Sequence, residues 1–153
     1  MNGLDQLYRD ILMDHYKYPR GKKKIENPDI INSGQNPLCG DSIELTARLA
    51  GDRIEDIGIE TVGCAICTAS ASMLTETVKG MTLGEVEQLS GLVTKMLTGD
   101  DEQKDFDLGD LEALAGVKKF PVRVKCALLA WITLVEGIRA HQEGINPEAV
   151  TTE

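Results

Sequence analysis

Several features that would define other classes of protein are missing from this chain. No run approaches the roughly 18 consecutive apolar residues of a membrane span, so no transmembrane helix is expected. The opening residues, MNGLDQLYRD, lack a basic stretch leading into an apolar core. No secretory signal is therefore expected, and a cytoplasmic location is the default. There is no internal repeat and no low-complexity segment, which excludes stacked-repeat architectures. Basic charge is scarce, with 16 Lys and Arg against 25 Asp and Glu and a net charge of −9. That argues against general nucleic-acid binding, which needs a surface that neutralises phosphates. The local exception is KYPRGKKK, residues 17–24, with five basic residues in eight. It reads as a solvated loop or as a docking patch for an acidic partner protein.

What remains has the make-up of an ordinary globular chain: 153 residues, 42% apolar and 27% charged. That length suggests one domain able to bury a core without disulfide staples. Thiols in the cytosol stay reduced, so the four cysteines point to metal or catalysis before disulfides.

Leu4, Leu7, Tyr8, Ile11 and Leu12 recur with the period of an amphipathic helix, which ends before Tyr18-Pro19. His15 continues that stripe and has no second ligand at helical spacing, so it reads as packed or half exposed. Residues 19–37 hold three prolines and two glycines and read mostly as loop, with a short edge strand possible from Ile25 to Ile31. Residues 42–50 alternate as a half-buried strand, and Gly51-Asp52 forms a hairpin loop. In the return strand the step from Ile54 to Ile57 breaks the period of two, which predicts a bulge near Glu55-Asp56. After Cys64 the period turns helical through Cys67, Ala71, Leu74 and Val78, and Gly80 closes the helix. Thr82 and Glu85 form a capping box for the next helix. Residues 98–112 are acidic and read as a solvated loop leading into a short helix at 109–115. Pro121 opens a last helix that is apolar nearly all round to Ile138, hence buried. Residues 142–153 are polar and read as a flexible tail.

The cysteines sit at element ends. Cys39 lies in the turn NPLCGD, with Asp41 two residues on. Cys64 stands where strand meets helix, and Cys126 in the first turns of the last helix. Together Cys39, Asp41, Cys64 and Cys126 offer three sulfurs and one oxygen. Zinc accepts that set tetrahedrally; an iron–sulfur cluster prefers four thiolates but tolerates a replaced ligand. Cys67 falls on the apolar stripe of its helix and reads as a small buried hydrophobe, although a zinc knuckle using both Cys64 and Cys67 is the other reading. Lys118, Lys119, Arg123 and Lys125 surround the start of the last helix. Cations there oppose the helix dipole, but positive charge and a helix N-terminus both favour thiolate over thiol.

Four motifs in order, DHYKYPR (14–20), NPLCGD (36–41), GCAICTASASML (63–74) and RVKCALLAW (123–131), resemble the U-type iron–sulfur assembly family over about residues 4–140. The match is nearest to its SufU branch, and the acidic segment at about 98–117 resembles an insertion typical of that branch. The resemblance implies an α+β fold with a small antiparallel sheet of about three strands packed against several helices. It implies one domain over 1–141. It also implies a zinc site at Cys39, Asp41, Cys64 and Cys126, with Cys67 not a ligand. The IscU scaffold branch usually has a histidine before the last cysteine; here it is Lys125, a poor ligand, which favours the SufU role. SufU-like proteins are zinc-dependent sulfurtransferases that take persulfide sulfur from a pyridoxal-phosphate (PLP) cysteine desulfurase and pass it to cluster-assembly proteins. By that resemblance the desulfurase supplies a replacement ligand that frees Cys39, and Cys39 accepts the sulfur. Asp41 serves as ligand and as base or guide, and Arg123 orients.

Two other functions fit the same residues. The first is a scaffold holding a transient 2Fe–2S cluster on Cys39, Asp41, Cys64 and Cys126. The second is a dithiol oxidoreductase using Cys64 and Cys67. In the latter case a hairpin, not a βαβ unit, precedes the C-x-x-C, and Cys39 and Cys126 are left without a purpose.

Overall fold

Alternation of Ile43, Leu45 and Ala47 against polar neighbours builds the central strand of a four-stranded sheet. The computed structural model describes residues 3–99 and 108–152. In chain order the elements are α1 (Gly3–Lys17), β1 (Ile30–Asn36), β2 (Asp41–Ala50), β3 (Arg53–Val62), α2 (Ala65–Val78) and α3 (Leu83–Thr98). A 3₁₀ segment (Gly109–Lys119), α4 (Pro121–Glu143) and β4 (Val150–Thr151) complete the chain. The sheet order is β3-β2-β1-β4. The first three strands pair antiparallel, and β4 runs parallel to β1. The fold is α+β, as expected, with one strand more than the three anticipated.

The differences lie where apolar alternation is weak. Residues 30–36, IINSGQN, read as loop beyond Ile31, form β1, and β1 lies inside the sheet between β2 and β4. Its inward positions are Ile30, Asn32, Gly34 and Asn36, all buried. Two are asparagines whose amides find partners inside the protein, so the buried face does not look apolar in the sequence. The segment expected as a flexible tail carries the end of α4, closed by Gly144 at φ +70°, and then β4. The acidic run's Asp100, Asp101, Glu102, Asp105 and Asp107 lie outside the described residues. The short helix expected at 109–115 is the 3₁₀ segment.

Other expectations agree. Arg48 pairs with Asp56 and Leu49 with Ile54, so Glu55 is the extra residue of the bulge. Thr82 and Glu85 form both bonds of the capping box. On α1, Tyr8, Ile11 and Leu12 pack against the core, although Leu7 is exposed.

The helices cover one face of the sheet, and α4 lies innermost, with Leu129, Trp131, Leu134 and Ile138 inaccessible to solvent. Its approach to β1 depends on small residues. A Cβ on Gly34 would run into the Thr133 hydroxyl, and one on Gly137 would meet Ile30 at 2.9 Å. Trp131 Nε1 donates to Ser70 Oγ at 3.1 Å, and Ser70 donates to the Ala127 carbonyl at 2.6 Å. The indole is thereby satisfied where α2 crosses α4.

The DHYKYPR motif is held by a polar knot against α2. Ser72 Oγ accepts the Arg20 backbone N–H at 2.8 Å and lies 2.7 Å from His15 Nδ1. Arg20 also pairs with Asp14 at 2.6 Å and with Glu76 at 3.6 Å. Of the basic run, Lys23 is tied to Asp56 at 2.9 Å, while Lys17, Lys22 and Lys24 are exposed. Burial first, then the Arg20 charge, lowers the pKa of His15, against the opposing pull of Glu76, Asp14 and Asp110. The unfolded chain therefore takes up this proton before the folded one. The stability His15 contributes is complete above the ordinary imidazole pKa and is lost as pH falls through the depressed value. Between about pH 7 and about pH 5, the urea midpoint should fall more steeply in the wild type than in His15→Gln. Equal slopes in the two proteins would remove His15 from the acid response.

Candidate functional site

Three junctions meet at one end of the sheet. The first is the β1–β2 turn, where the Cys39 N–H donates to the Asn36 carbonyl at 3.2 Å. Gly40 then turns at φ +70°, a conformation that favours glycine. The second is the exit of β3, where Cys64 caps α2 and its Sγ accepts the Cys67 N–H at 3.4 Å. The third is the second turn of α4, which carries Cys126.

Asp41 joins these parts. It is the first residue of β2 and is 2% exposed. Its Oδ1 accepts the Cys64 backbone N–H at 2.8 Å, and its Oδ2 lies 3.8 Å from Cys64 Sγ. Gly63 permits the approach: its φ is +155°, and a Cβ there would collide with Oδ1 and come within 2.9 Å of the Asp41 Cα.

The donor atoms of Cys39, Asp41 and Cys126 all lie within 4.8 Å of one another; Cys64, the fourth expected ligand, falls outside that group and meets it at Asp41 alone, with Sγ 3.8 Å from Oδ2. Three thiols and a carboxylate suit a thiophilic divalent cation. Burial first, then the neighbouring Asp41 carboxylate and the Cys39 and Cys64 thiols, push the Cys126 pKa well above its ordinary range. A cation inverts that balance, because thiol ligands bind deprotonated.

The structure separates the two cysteines of the C-x-x-C. Cys67 is 1% exposed and packs in the core. Burial, then the charges of Asp41, Cys64 and Cys39, raise its pKa far above the ordinary value. Exchange chemistry needs a thiolate, so Cys67 is a poor partner for a redox pair.

Arg123 Nη1 stands 4.0 Å from Cys39 Sγ, and a side-chain bond to Cys126, then the Cys64 and Cys39 thiols, raise the guanidinium's pKa. Beside Cys39, Leu38, Lys119, Phe120 and Val122 wall a shallow groove. Leu38, Phe120 and Val122 are exposed apolar residues, so the site opens to the surface through an apolar rim.

Two contributors escaped the sequence reading. Gly63 carries no periodic signal, and its role depends on an approach by Asp41 from another strand. Asn36 sits in the NPLCGD motif, where an asparagine before proline reads as turn chemistry. In the fold its amide reaches Cys126, 90 positions along the chain, with Nδ2 to Sγ at 3.3 Å.

This sheet-and-helix frame, with thiols and a carboxylate gathered at its end, defines a NifU-like N-terminal domain. That family's model matches residues 7–143, and the chain belongs to the family. It is 47% identical over 143 residues to the zinc-dependent sulfurtransferase SufU of Bacillus subtilis, a match covering 94% of this chain and 96% of that one. It is 39% identical over 139 residues to the iron-sulfur cluster assembly scaffold protein IscU of Streptococcus pyogenes, covering 91% and 87%. A solved structure of a putative iron-sulfur cluster assembly scaffold protein for the SUF system, from Fervidobacterium islandicum, superposes with a TM-score of 0.75 at 36% identity, covering 86% of this chain and 96% of that one. Among the described residues no helix is long and apolar enough to cross a membrane.

Gly63→Ala should displace the Asp41 carboxylate and lower affinity for a thiophilic divalent ion by roughly tenfold or more. Competition of cobalt(II) or zinc against a chromogenic chelator measures this, with the melting curve recorded alongside. Unchanged affinity in a folded variant would show that the close approach at Gly63 does not hold Asp41 in the site.

Proposed function

We propose that this protein is a zinc-dependent sulfurtransferase of iron–sulfur cluster assembly, acting in the cytoplasm. It accepts persulfide sulfur on Cys39 from a PLP-dependent cysteine desulfurase of the SufS type and passes it to downstream cluster-assembly proteins. One observation carries this reading: the three site thiols are tied down unequally. Cys64 Sγ is engaged by the helix cap and lies beside Asp41. Cys126 is buried and accepts from Asn36. Cys39 is half-buried on a surface turn, and its Sγ faces the Arg123 guanidinium. It is the thiol best placed to leave the group and meet a partner.

Cys39, Asp41, Cys64 and Cys126 would hold the zinc, which when bound keeps the thiols deprotonated and fixes the local structure. In the transfer, the Cys39 thiolate attacks the outer sulfur of the donor persulfide. A bond forms from Cys39 Sγ to that sulfur, and the donor's S–S bond breaks. The donor cysteine departs as thiolate, and the proton on the outer sulfur stays with it. Arg123 supports the anionic sulfur and orients the incoming persulfide. Asp41 guides the Cys39 thiolate, which leaves the group already deprotonated. The exposed Leu38, Phe120 and Val122 supply an apolar rim for the donor enzyme.

The second reading, a scaffold for a transient 2Fe–2S cluster on the same four residues, is favoured by the IscU relative. Lys125, half-buried next to Cys126, counts against it, because an ammonium offers no lone pair to iron. Anaerobic reconstitution that yields a stable, transferable cluster at one per site would favour the scaffold.

Desulfurase turnover should rise on adding the zinc-loaded protein and should not rise with Cys39→Ala. Equal stimulation by both would remove Cys39 as the sulfur acceptor. Elemental analysis of the purified chain should find zinc, about one per site.

A further inference from the structure

Asn36 is the last residue of β1 and is wholly buried. Its Nδ2 donates to Cys126 Sγ at 3.3 Å, and its Oδ1 has no partner among the described residues. A buried amide that leaves its oxygen unsatisfied is costly, so the contact made by its nitrogen needs a reason. A thiolate supplies one, because an N–H bond to charged sulfur is stronger than one to a neutral thiol. The reversed amide would point its oxygen at the sulfur, an arrangement that serves only a protonated thiol. The same residue also sets the turn carrying Cys39, through its carbonyl. It thus touches both cysteines, one by side chain and one by backbone.

We infer that Asn36 is a positioning residue that assigns the roles of the thiols. Its amide holds Cys126 Sγ as a fixed, weakly nucleophilic metal ligand, which leaves Cys39 as the sulfur that reacts. The inference rests on the sulfurtransferase reading above. The chemistry follows from lone-pair occupancy. A sulfur that accepts a close N–H bond has less electron density to offer an electrophile, and the amide stands 3.3 Å from Cys126 Sγ where the Arg123 guanidinium stands 4.0 Å from Cys39 Sγ. Cys126 is also shut from solvent by α4 and β1. Asn32 provides an internal control. It is the other buried asparagine of β1, but its Nδ2 donates to the Thr133 carbonyl at 2.9 Å, with no bond to a site thiol.

The test uses the full chain loaded with zinc and compares the wild type with Asn36→Ala, Asn36→Leu and Asn32→Ala. Asn36→Leu keeps the branching of the side chain and leaves no cavity, so a fold lost in Asn36→Ala need not be lost there. The first readout is zinc affinity by chelator competition. Both Asn36 variants should bind zinc roughly tenfold to a hundredfold more weakly, the usual effect of losing an outer-shell partner. Asn32→Ala should bind it as the wild type does, whatever its melting temperature. The second readout is the ratio of Cys126 to Cys39 alkylation by iodoacetamide, mapped by mass spectrometry. That ratio should rise about tenfold in the Asn36 variants, the weight of one hydrogen bond to a charged group. Wild-type affinity and an unchanged ratio in a folded Asn36→Leu would overturn the inference. So would an equal fall in affinity in Asn32→Ala, which would make the effect one of strand stability. Neither readout uses the desulfurase. Failure of Cys39 to take up sulfur would therefore sink the transferase reading, while these two measurements still decide the role of Asn36.

Discussion

The bond from the Cys64 backbone N–H to the Asp41 carboxylate organises this molecule. A carboxylate left alone in a protein interior is strongly unfavourable, so a buried one must be satisfied by neighbours. Asp41 is buried at the start of a strand, and the donor that satisfies it belongs to the residue where another strand gives way to a helix. The β1–β2 turn and the β3–α2 junction are thus bound to each other at one end of the sheet. Gly63 provides the space, because no other residue could let the carboxylate come so near. The helix α4, buried against β1, then delivers Cys126 to the same point. The site is therefore a consequence of how the ends of the sheet are closed. It is not an addition to a finished fold.

Much of this was legible in the sequence wherever a residue's role depends on its neighbours in the chain. Alternation gave β2 and β3, and the broken period at Ile54 and Ile57 gave the bulge at Glu55. Thr82 and Glu85 announced the cap of α3, and the stripe through Cys67, Ala71, Leu74 and Val78 separated Cys67 from Cys64. The placement of Cys39, Asp41, Cys64 and Cys126 at element ends suggested their grouping, the resemblance of four motifs to a known family implied it as well, and the structure draws Cys39, Asp41 and Cys126 together. What escaped depends on contacts across long stretches of chain. β1 buries Asn32 and Asn36, whose Nδ2 groups both donate to partners on α4, so its inward face carries no apolar signature. β4 is two residues long and exists through its pairing with β1. Gly63 and Asn36 matter through partners that lie on other elements.

The site divides its labour by how firmly each sulfur is held. One is locked to a helix cap, one is buried under an amide, and one stands on a turn beside a guanidinium. On the proposed function, such a gradient would let a set of similar ligands release one member without losing its arrangement. It also explains why the chain tolerates cations around the start of α4, against the helix dipole. Arg123 lies beside both Cys126 and the half-buried Cys39, and Lys119 lines the groove next to Cys39.

Both margins of the sheet are covered in part. Along β3, the Ile54 N–H reaches the Met81 carbonyl at 2.9 Å and the Ile59 N–H reaches the Gly21 carbonyl at 2.8 Å. Along β1, the short β4 pairs with Gly34 and Gln35, and the Thr152 N–H adds a bond to the Gln35 carbonyl at 3.1 Å. Unpaired strand margins invite strands from other molecules, and here the margin of β1 runs straight to Asn36. The two-residue β4 thus works as a clasp. It covers the stretch of margin nearest the corner where the cysteines gather, so the half-buried Cys39 stands near the surface without an open strand template beside it at Gly34 and Gln35.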